Sequence, residues 1–332
     1  MRVAIIGAGW IAAAHAAILR RLDGIDLAAV CDIDEGRARE LAGNAAVYGD
    51  WRELLDRESP DAVFVCTPPL AHREPAVEAL DRGIHVYLEK PIARGPEDAQ
   101  AIVDAAARSD AVCAVGYQWR AVEVLDGLRA ALDGQELGLL IGIGAGPTKS
   151  RPWFLSRAEG GGNLLERASH GIDLARAVGG EIVSVQATAG TVALAQSAGE
   201  RGDIEDAAAI VLRFANGAVG SVSIAWTRDG LPGTYRLHVL GSESSLHLEL
   251  DPEFTLRGVS RGREIDATTT QEPIERGVRR FFEAARRNDP AMVFCTAADA
   301  AGTLAVVSAC EEAIESGASV EVARLQPARR SP

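Results

Sequence analysis

Lysine is almost missing from this chain. Of 34 basic residues only two, Lys90 and Lys149, are lysine, and 47 acidic residues leave a formal charge of −13. The sequence pI is near 5.0. Nucleic-acid binding is driven largely by cationic side chains on phosphates, so this balance excludes DNA, RNA and anionic membrane surfaces as partners. Long apolar runs are missing too. None approaches the roughly 18 uninterrupted residues of a membrane span, and the start, MRVAIIGAGW, has no cleavable leader pattern, so a cytoplasmic protein is expected. The five cysteines, Cys31, Cys66, Cys113, Cys295 and Cys310, are odd in number and form no CxxC pair. They exclude a disulfide framework and a structural zinc site, fit a reducing compartment, and read as small packing residues.

What is present is a chain of 332 residues, 47% hydrophobic and 24% charged. That is too long for one ordinary core and suits two soluble domains, here residues 1–118 and 119–332. A short apolar run at residues 2 to 6 leads into Gly7-Ala8-Gly9-Trp10-Ile11-Ala12 and an alanine-rich helical stretch. Gly7, Gly9 and Ala12 fill the places of a GxGxxG/A turn. The first permits the tight turn, the second lets a pyrophosphate approach the backbone, and the third lets helix and strand pack closely. A second apolar run, Leu27 to Val30, ends at Asp32, where a carboxylate accepts the adenine-ribose hydroxyls and repels a 2′-phosphate. NAD is therefore expected, with NADP disfavoured.

Apolar strands and amphipathic helices then alternate to about Val115, the signature of a doubly wound parallel sheet. In such a sheet ligands bind at the carboxyl ends of the strands. Cofactor contacts are accordingly expected from Gly7, Gly9, Trp10, Ile11, Ala12 and Asp32, from Thr67, Pro68 and His72 in a second strand-end loop, and from Glu89 and Lys90 in a third. For His72, capping of its own loop is favoured over catalysis. The third loop ends the run His85-Val86-Tyr87-Leu88-Glu89-Lys90-Pro91, where a proline stops the strand behind a charged pair. A chain that otherwise uses arginine has kept an amine here. Lysine is a compact donor whose pKa shifts on desolvation, which suits proton chemistry; a surface ion pair at a helix start is the plainer alternative.

After Arg120 the rhythm changes. Tyr117, Trp119 and Arg120 are either substrate contacts or hinge packing, and Trp153 either stacks on a sugar face or plugs an interdomain core. After Gly160 to Gly162, a helical reading sets Glu166 and His170 at i,i+4 and Asp173 three further on, all on one face. A carboxylate one turn from an imidazole orients it and raises its basicity, as a general base requires. An ordinary i,i+4 pair is the bland alternative, and a helix-borne metal site is disfavoured for want of further ligands. From Ile182 the pattern turns to period-two strands, with Asn216-Gly217 as a hairpin signal and a second hairpin from Tyr235 to Leu250. Helices at about 274–288 and 296–316 close the chain. The fold class is thus α/β, a Rossmann sheet followed by an α+β domain whose large, mostly antiparallel sheet leaves one face open. An open apolar face predicts a homodimer or homotetramer.

GAGWIA, CDID, TPPLAH, HVYLEKP, GYQWR and GGGNLLERASHGID occur in this order. With them the chain resembles, over essentially its full length, the glucose-fructose oxidoreductase / inositol dehydrogenase / rhizopine catabolism (Gfo/Idh/MocA) family. The resemblance implies NAD(P)-dependent oxidation or reduction of a secondary alcohol or ketone on a sugar or cyclitol. It implies that Lys90 is the lysine near the reacting oxygen, that the Lys90-Pro91 bond is cis, and that His170 is the acid/base. His170 would then take the hydroxyl proton, Lys90 would stabilise the alkoxide, and hydride would leave for the nicotinamide. Asp173 would bind a hydroxyl or support the base. One departure is Glu166, where the family usually carries Asp. Two other functions stand beside this one, a cofactor-binding sensor without turnover, against which the retention of Lys90 and His170 argues, and a redox-assisted glycosidase, which free NADH accumulating with substrate would separate from a dehydrogenase.

Overall fold

The computed structural model describes residues 1–147, 155–191, 204–227 and 230–323. Trp153 and its neighbours Lys149, Arg151 and Phe154 lie outside the described residues, as does the tail from Ala328. Two compact units are present. The first comprises Met1–Gln118 and Ile274–Ala301, the second Trp119–Pro273 and the stretch from Gly302. The second stretch is not continuous, because residues 274–301 return to the first unit.

The first unit is built on six parallel strands: β1 (Arg2–Ile6), β2 (Asp26–Cys31), β3 (Ala46–Tyr48), β4 (Ala62–Val65), β5 (His85–Leu88) and β6 (Cys113–Val115), in the order β3-β2-β1-β4-β5-β6. Val3, Ala4 and Ile5 in β1 and all of β4 have no exposed surface, as expected of strands covered on both faces. Between them run α1 (Trp10–Leu19), α2 (Glu35–Ala42), α3 (Trp51–Glu58), α4 (Arg73–Asp81) and α5 (Pro96–Arg108). Asp34 caps α2 by accepting from the Gly36 and Arg37 amides, and Pro96 opens α5, where its missing N–H is no loss. The strand order reverses between β1 and β4, so the crevice for a ligand opens at their carboxyl ends.

The returning segment explains the divided unit. Helix Pro273–Arg287 carries Val278, Phe281 and Phe282, all buried, onto the sheet's aromatic centre. Phe281 stands edge-on to Phe64 at 5.7 Å and to Tyr87 at 5.5 Å between ring centroids. Phe281→Ala is expected to destabilise the first unit by about 3–5 kcal/mol, read as an earlier urea transition.

In the second unit, α6 (Glu123–Leu132), the short α7 (Arg157–Gly160) and α8 (Ser169–Gly179) accompany a nine-stranded sheet. Its strands are β7 (Leu137–Pro147), β8 (Ile182–Gly190), β9 (Ala207–Phe214), β10 (Val219–Thr227), β11 (Thr234–Gly241), β12 (Ser244–Asp251), β13 (Phe254–Ser260), β14 (Arg263–Thr269) and β15 (Val320–Glu321). The order is β14-β13-β12-β11-β7-β10-β9-β8-β15, with β7 and β10 parallel and every other pair antiparallel. Asn216-Gly217 makes the expected hairpin. A further one, around Arg261-Gly262 with φ of 48° and 71°, was not anticipated. Helices α6 and α8 cover one face. Ile141, Ile143, Val211, Val219 and Val259 lie exposed on the other.

All five cysteines are buried, and burial pushes the thiols of Cys31, Cys113 and Cys310 up to about 12. The folded protein should therefore take up no iodoacetamide at pH 8, while the denatured protein takes up one equivalent per cysteine; rapid labelling before unfolding would refute the packing role.

Candidate active site

Two groups of side chains carry the chemistry, one in each unit. In the first, β1 ends in Gly7, whose φ is +94° and whose Cβ would stand 2.7 Å from the Cys66 carbonyl carbon, so only glycine fits. A Cβ on Gly9, by contrast, would meet nothing within 4 Å, which leaves the backbone at the start of α1 open to a ligand. Ala12 is fully buried between helix and sheet. Asp32 is held in place by the backbone: Oδ2 accepts the Ala8 amide at 2.7 Å and Oδ1 the Asp34 amide at 2.8 Å. A carboxylate has about four acceptor positions, so two remain for ribose hydroxyls. Exposed Trp10, Ile33 and Leu70 all follow the carboxyl ends of the strands, Trp10 opening α1, and Ile33 is 98% exposed. An open glycine backbone at a helix amino end, a fixed carboxylate and an apolar surround fit a dinucleotide.

Not every expected cofactor contact faces that opening. Thr67 and Ile11 are half-buried and Pro68 exposed, but His72 is fully buried. Its Nε2 lies 2.8 Å from the Thr67 carbonyl oxygen and its Nδ1 3.0 Å from that of Pro91. Burial lowers the His72 pKa against the pull of these carbonyls toward the cation. His72 is thus a strut between two strand-end loops. Glu89 is buried as well, with its carboxylate turned to His15 at 2.7 Å and to the Lys90 amide at 3.2 Å. Lys90 itself is half-buried just beyond β5, and the Lys90-Pro91 bond is cis.

In the second unit the expected plain helix is interrupted. Leu164–Ala168 form a π-helical turn holding Glu166, and α8 begins at Ser169 with His170 in its first turn. Wider turns of this kind often accompany functional sites. The fold brings α8 and the sheet very close, since a Cβ at Gly171 would be 2.9 Å from Val222, while within the sheet the Tyr235 ring lies over Gly144, where a Cβ would be 2.5 Å from it. His170 is half-buried, its ring 4.7 Å from that of Trp119. Trp119 in turn packs edge-on to Tyr235 at 3.7 Å, and the Tyr235 hydroxyl donates to the Arg167 carbonyl at 2.7 Å. The imidazole is therefore backed by an aromatic stack tied to its own helix.

The described substrate candidates lie inside the protein. Tyr117, Trp119, Arg120 and Asp173 are all buried. Arg120 binds Asp173 through two bonds, Nε–Oδ2 at 2.7 Å and Nη2–Oδ1 at 2.8 Å, and Thr303 donates to Oδ1 at 2.9 Å. A bidentate buried pair is a rigid clamp. Asp173 and Arg120 fasten α8. His15 was missed altogether, because a single histidine in an alanine-rich helix carries no local signal.

Residues 1–117 match the GFO_IDH_MocA oxidoreductase family with its NAD-binding Rossmann fold, and residues 135–247 match the GFO/IDH/MocA C-terminal domain. The chain is 28% identical over 288 residues to myo-inositol 2-dehydrogenase of Thermotoga maritima, covering 85% of this chain and 82% of that protein. It is 32% identical over 239 residues to D-glucoside 3-dehydrogenase of Escherichia coli, covering 66% and 68%. Among solved structures, levoglucosan dehydrogenase in complex with NADH and levoglucosan has a TM-score of 0.82 at 22% identity, over 98% of this chain and 99% of that one. An oxidoreductase domain protein from Kribbella flavida has a TM-score of 0.87 at 24% identity, over 97% and 99%. At such identities the structural likeness speaks for the fold.

Proposed function

This chain belongs to the GFO/IDH/MocA oxidoreductase family, and on that premise we propose that it is an NAD-dependent dehydrogenase of a secondary alcohol on a sugar, cyclitol or related small polyol. The carrying observation is the glycine turn and fixed Asp32 of the first unit, together with Lys90 at the same strand edge. The names of the relatives, an inositol and a glucoside dehydrogenase, support the substrate class.

Bound NAD supplies the hydride acceptor. The chain's own groups do the rest: His170 takes the hydroxyl proton, and the Lys90 ammonium stabilises the negative charge that develops on oxygen. Glu166, one turn ahead of His170, orients it. Gly7, Gly9, Trp10, Ile11, Asp32, Thr67 and Pro68 hold the dinucleotide. The test is a screen of polyols and sugars with NAD, read by NADH absorbance. Free NADH accumulating with one of them supports the reading, and binding without turnover would favour a sensor.

Asp32 sets the cofactor. Asp32→Ser combined with Ile33→Arg is expected to shift the NADH-to-NADPH affinity ratio at least about tenfold, roughly 1.4 kcal/mol, in fluorescence titrations. Equal affinity of the unaltered protein for both would count against the assignment.

Cytoplasmic location and self-association are part of the same proposal. The open sheet face with Ile141, Ile143, Val211 and Val219 would be covered by a second copy. Ile141→Glu with Ile143→Glu should then release a 35.0 kDa species in sedimentation, whereas an unaltered protein that already sediments at that mass would defeat the idea.

A further inference from the structure

Helix α1 carries a side chain whose use no local pattern discloses. The helix starts at the open backbone of Gly9, and His15, further along it, has no exposed surface. Its ring lies between Phe64 and Tyr87, at 5.2 and 5.1 Å between centroids. Nε2 is 2.7 Å from Glu89 Oε1, and the other carboxylate oxygen accepts the Lys90 backbone N–H at 3.2 Å. The Glu89 amide donates to the Val65 carbonyl at 2.9 Å, so this residue is fixed at both backbone and side chain. Gly116 completes the seat. A Cβ there would stand 2.9 Å from Glu89 Oε1, in the space that the carboxylate fills.

We propose that His15 and Glu89 are positioning residues for Lys90. The imidazole fixes the carboxylate, the carboxylate fixes the Lys90 peptide, and the pair ties that peptide to the helix whose amino end receives the dinucleotide phosphates. The lysine stem has four rotatable carbons, so where its ammonium reaches depends first on where its backbone is held. Misplacement by about 1 Å costs an enzyme up to roughly 10²-fold in rate, which is reason enough to bury a hydrogen-bonded pair for the purpose. The proposal rests on the assignment of Lys90 to the reacting oxygen, but its test reads Lys90 directly.

The scarcity of lysine makes that possible. Reductive methylation with ¹³C-formaldehyde labels three amines only, Met1, Lys90 and Lys149, and Lys149→Arg assigns the spectrum. His15→Leu removes the ring nitrogen that faces Glu89. Gly116→Ala, which crowds the carboxylate without deleting anything, is the gentler variant should the first not fold. His15→Gln retains a donor at the Nε2 position. The expected result is that His15→Leu and Gly116→Ala move the Lys90 methyl resonance and leave that of Lys149 in place, that His15→Gln restores the original position, and that NADH affinity by fluorescence stays within about twofold, since the phosphate cradle is untouched. A Lys90 resonance unmoved by Gly116→Ala, or moved as far by His15→Gln as by His15→Leu, overturns the proposal. None of these signals needs turnover, so a failure of the dehydrogenase reading would leave them as predicted and would be seen separately, as absent NADH formation.

Discussion

Lys90→Ala is expected to lower kcat by on the order of 10²- to 10³-fold on an alcohol that the unaltered enzyme oxidises, while raising KM far less. Stabilisation of charge that appears only as the proton departs is worth nothing to the bound ground state, so its loss falls on kcat. Lys90→Arg should not rescue the rate. Guanidinium is planar and bulky and cannot reproduce a compact donor aimed at one oxygen. NADH titration of both variants should match the unaltered protein, because the glycine turn and Asp32 follow β1 and β2 while Lys90 follows β5. A Lys90→Ala enzyme with nearly full kcat would remove this residue from the reaction.

How much of this was legible in the residues depends on how local each constraint is. Gly7 announces itself, since a positive φ beside the backbone of Cys66 admits no other residue. Asp32 at the end of a strand and Asn216-Gly217 between strands are likewise readable over a few positions. Partners far apart in sequence are not. His15 and Glu89 are 74 residues apart and Arg120 and Asp173 are 53 apart, and in both cases the ionisable groups are consumed by each other inside the protein. The pairing of Arg120 with Asp173, and of His15 with Glu89, therefore leaves no local signal. His72 is the reverse case: capping of its own loop is readable from its place at a strand end, and the carbonyls of Thr67, Pro91 and Ile92 lie within hydrogen-bond distance of its two ring nitrogens.

Two architectural features were hidden for a different reason. An amphipathic helix such as Pro273–Arg287 shows that it covers something, but Val278, Phe281 and Phe282 would suit any apolar face, and only the three-dimensional fit to Phe64 and Tyr87 sends it back to the first sheet. The π-turn at Leu164–Ala168 is equally silent. Its residues have good α-helical character, and it runs directly into α8, where helix and sheet approach so closely that Gly171 has no room for a Cβ.

That close approach bears on the base. His170 lies at the start of α8, its ring against Trp119, and the helix is clamped further along by Asp173 on Arg120 and Thr303. An imidazole mounted on a clamped helix and braced by an aromatic stack has little freedom to miss a proton. His170→Ala is accordingly expected to lower the rate of alcohol oxidation on the order of 10²- to 10⁴-fold, with NADH affinity unchanged because the dinucleotide cradle lies in the first unit. Alcohol oxidation by the unaltered enzyme should rise with pH as an imidazole base loses its proton, and that rise should vanish in His170→Ala, since no group is then left to titrate in that role. Glu166→Gln keeps the length of the side chain and removes its charge, so its loss of kcat should be smaller than that of His170→Ala. A pH profile that survives His170→Ala intact would place the base elsewhere, and the surviving inflection would then have to be sought among the remaining titratable side chains of the second unit.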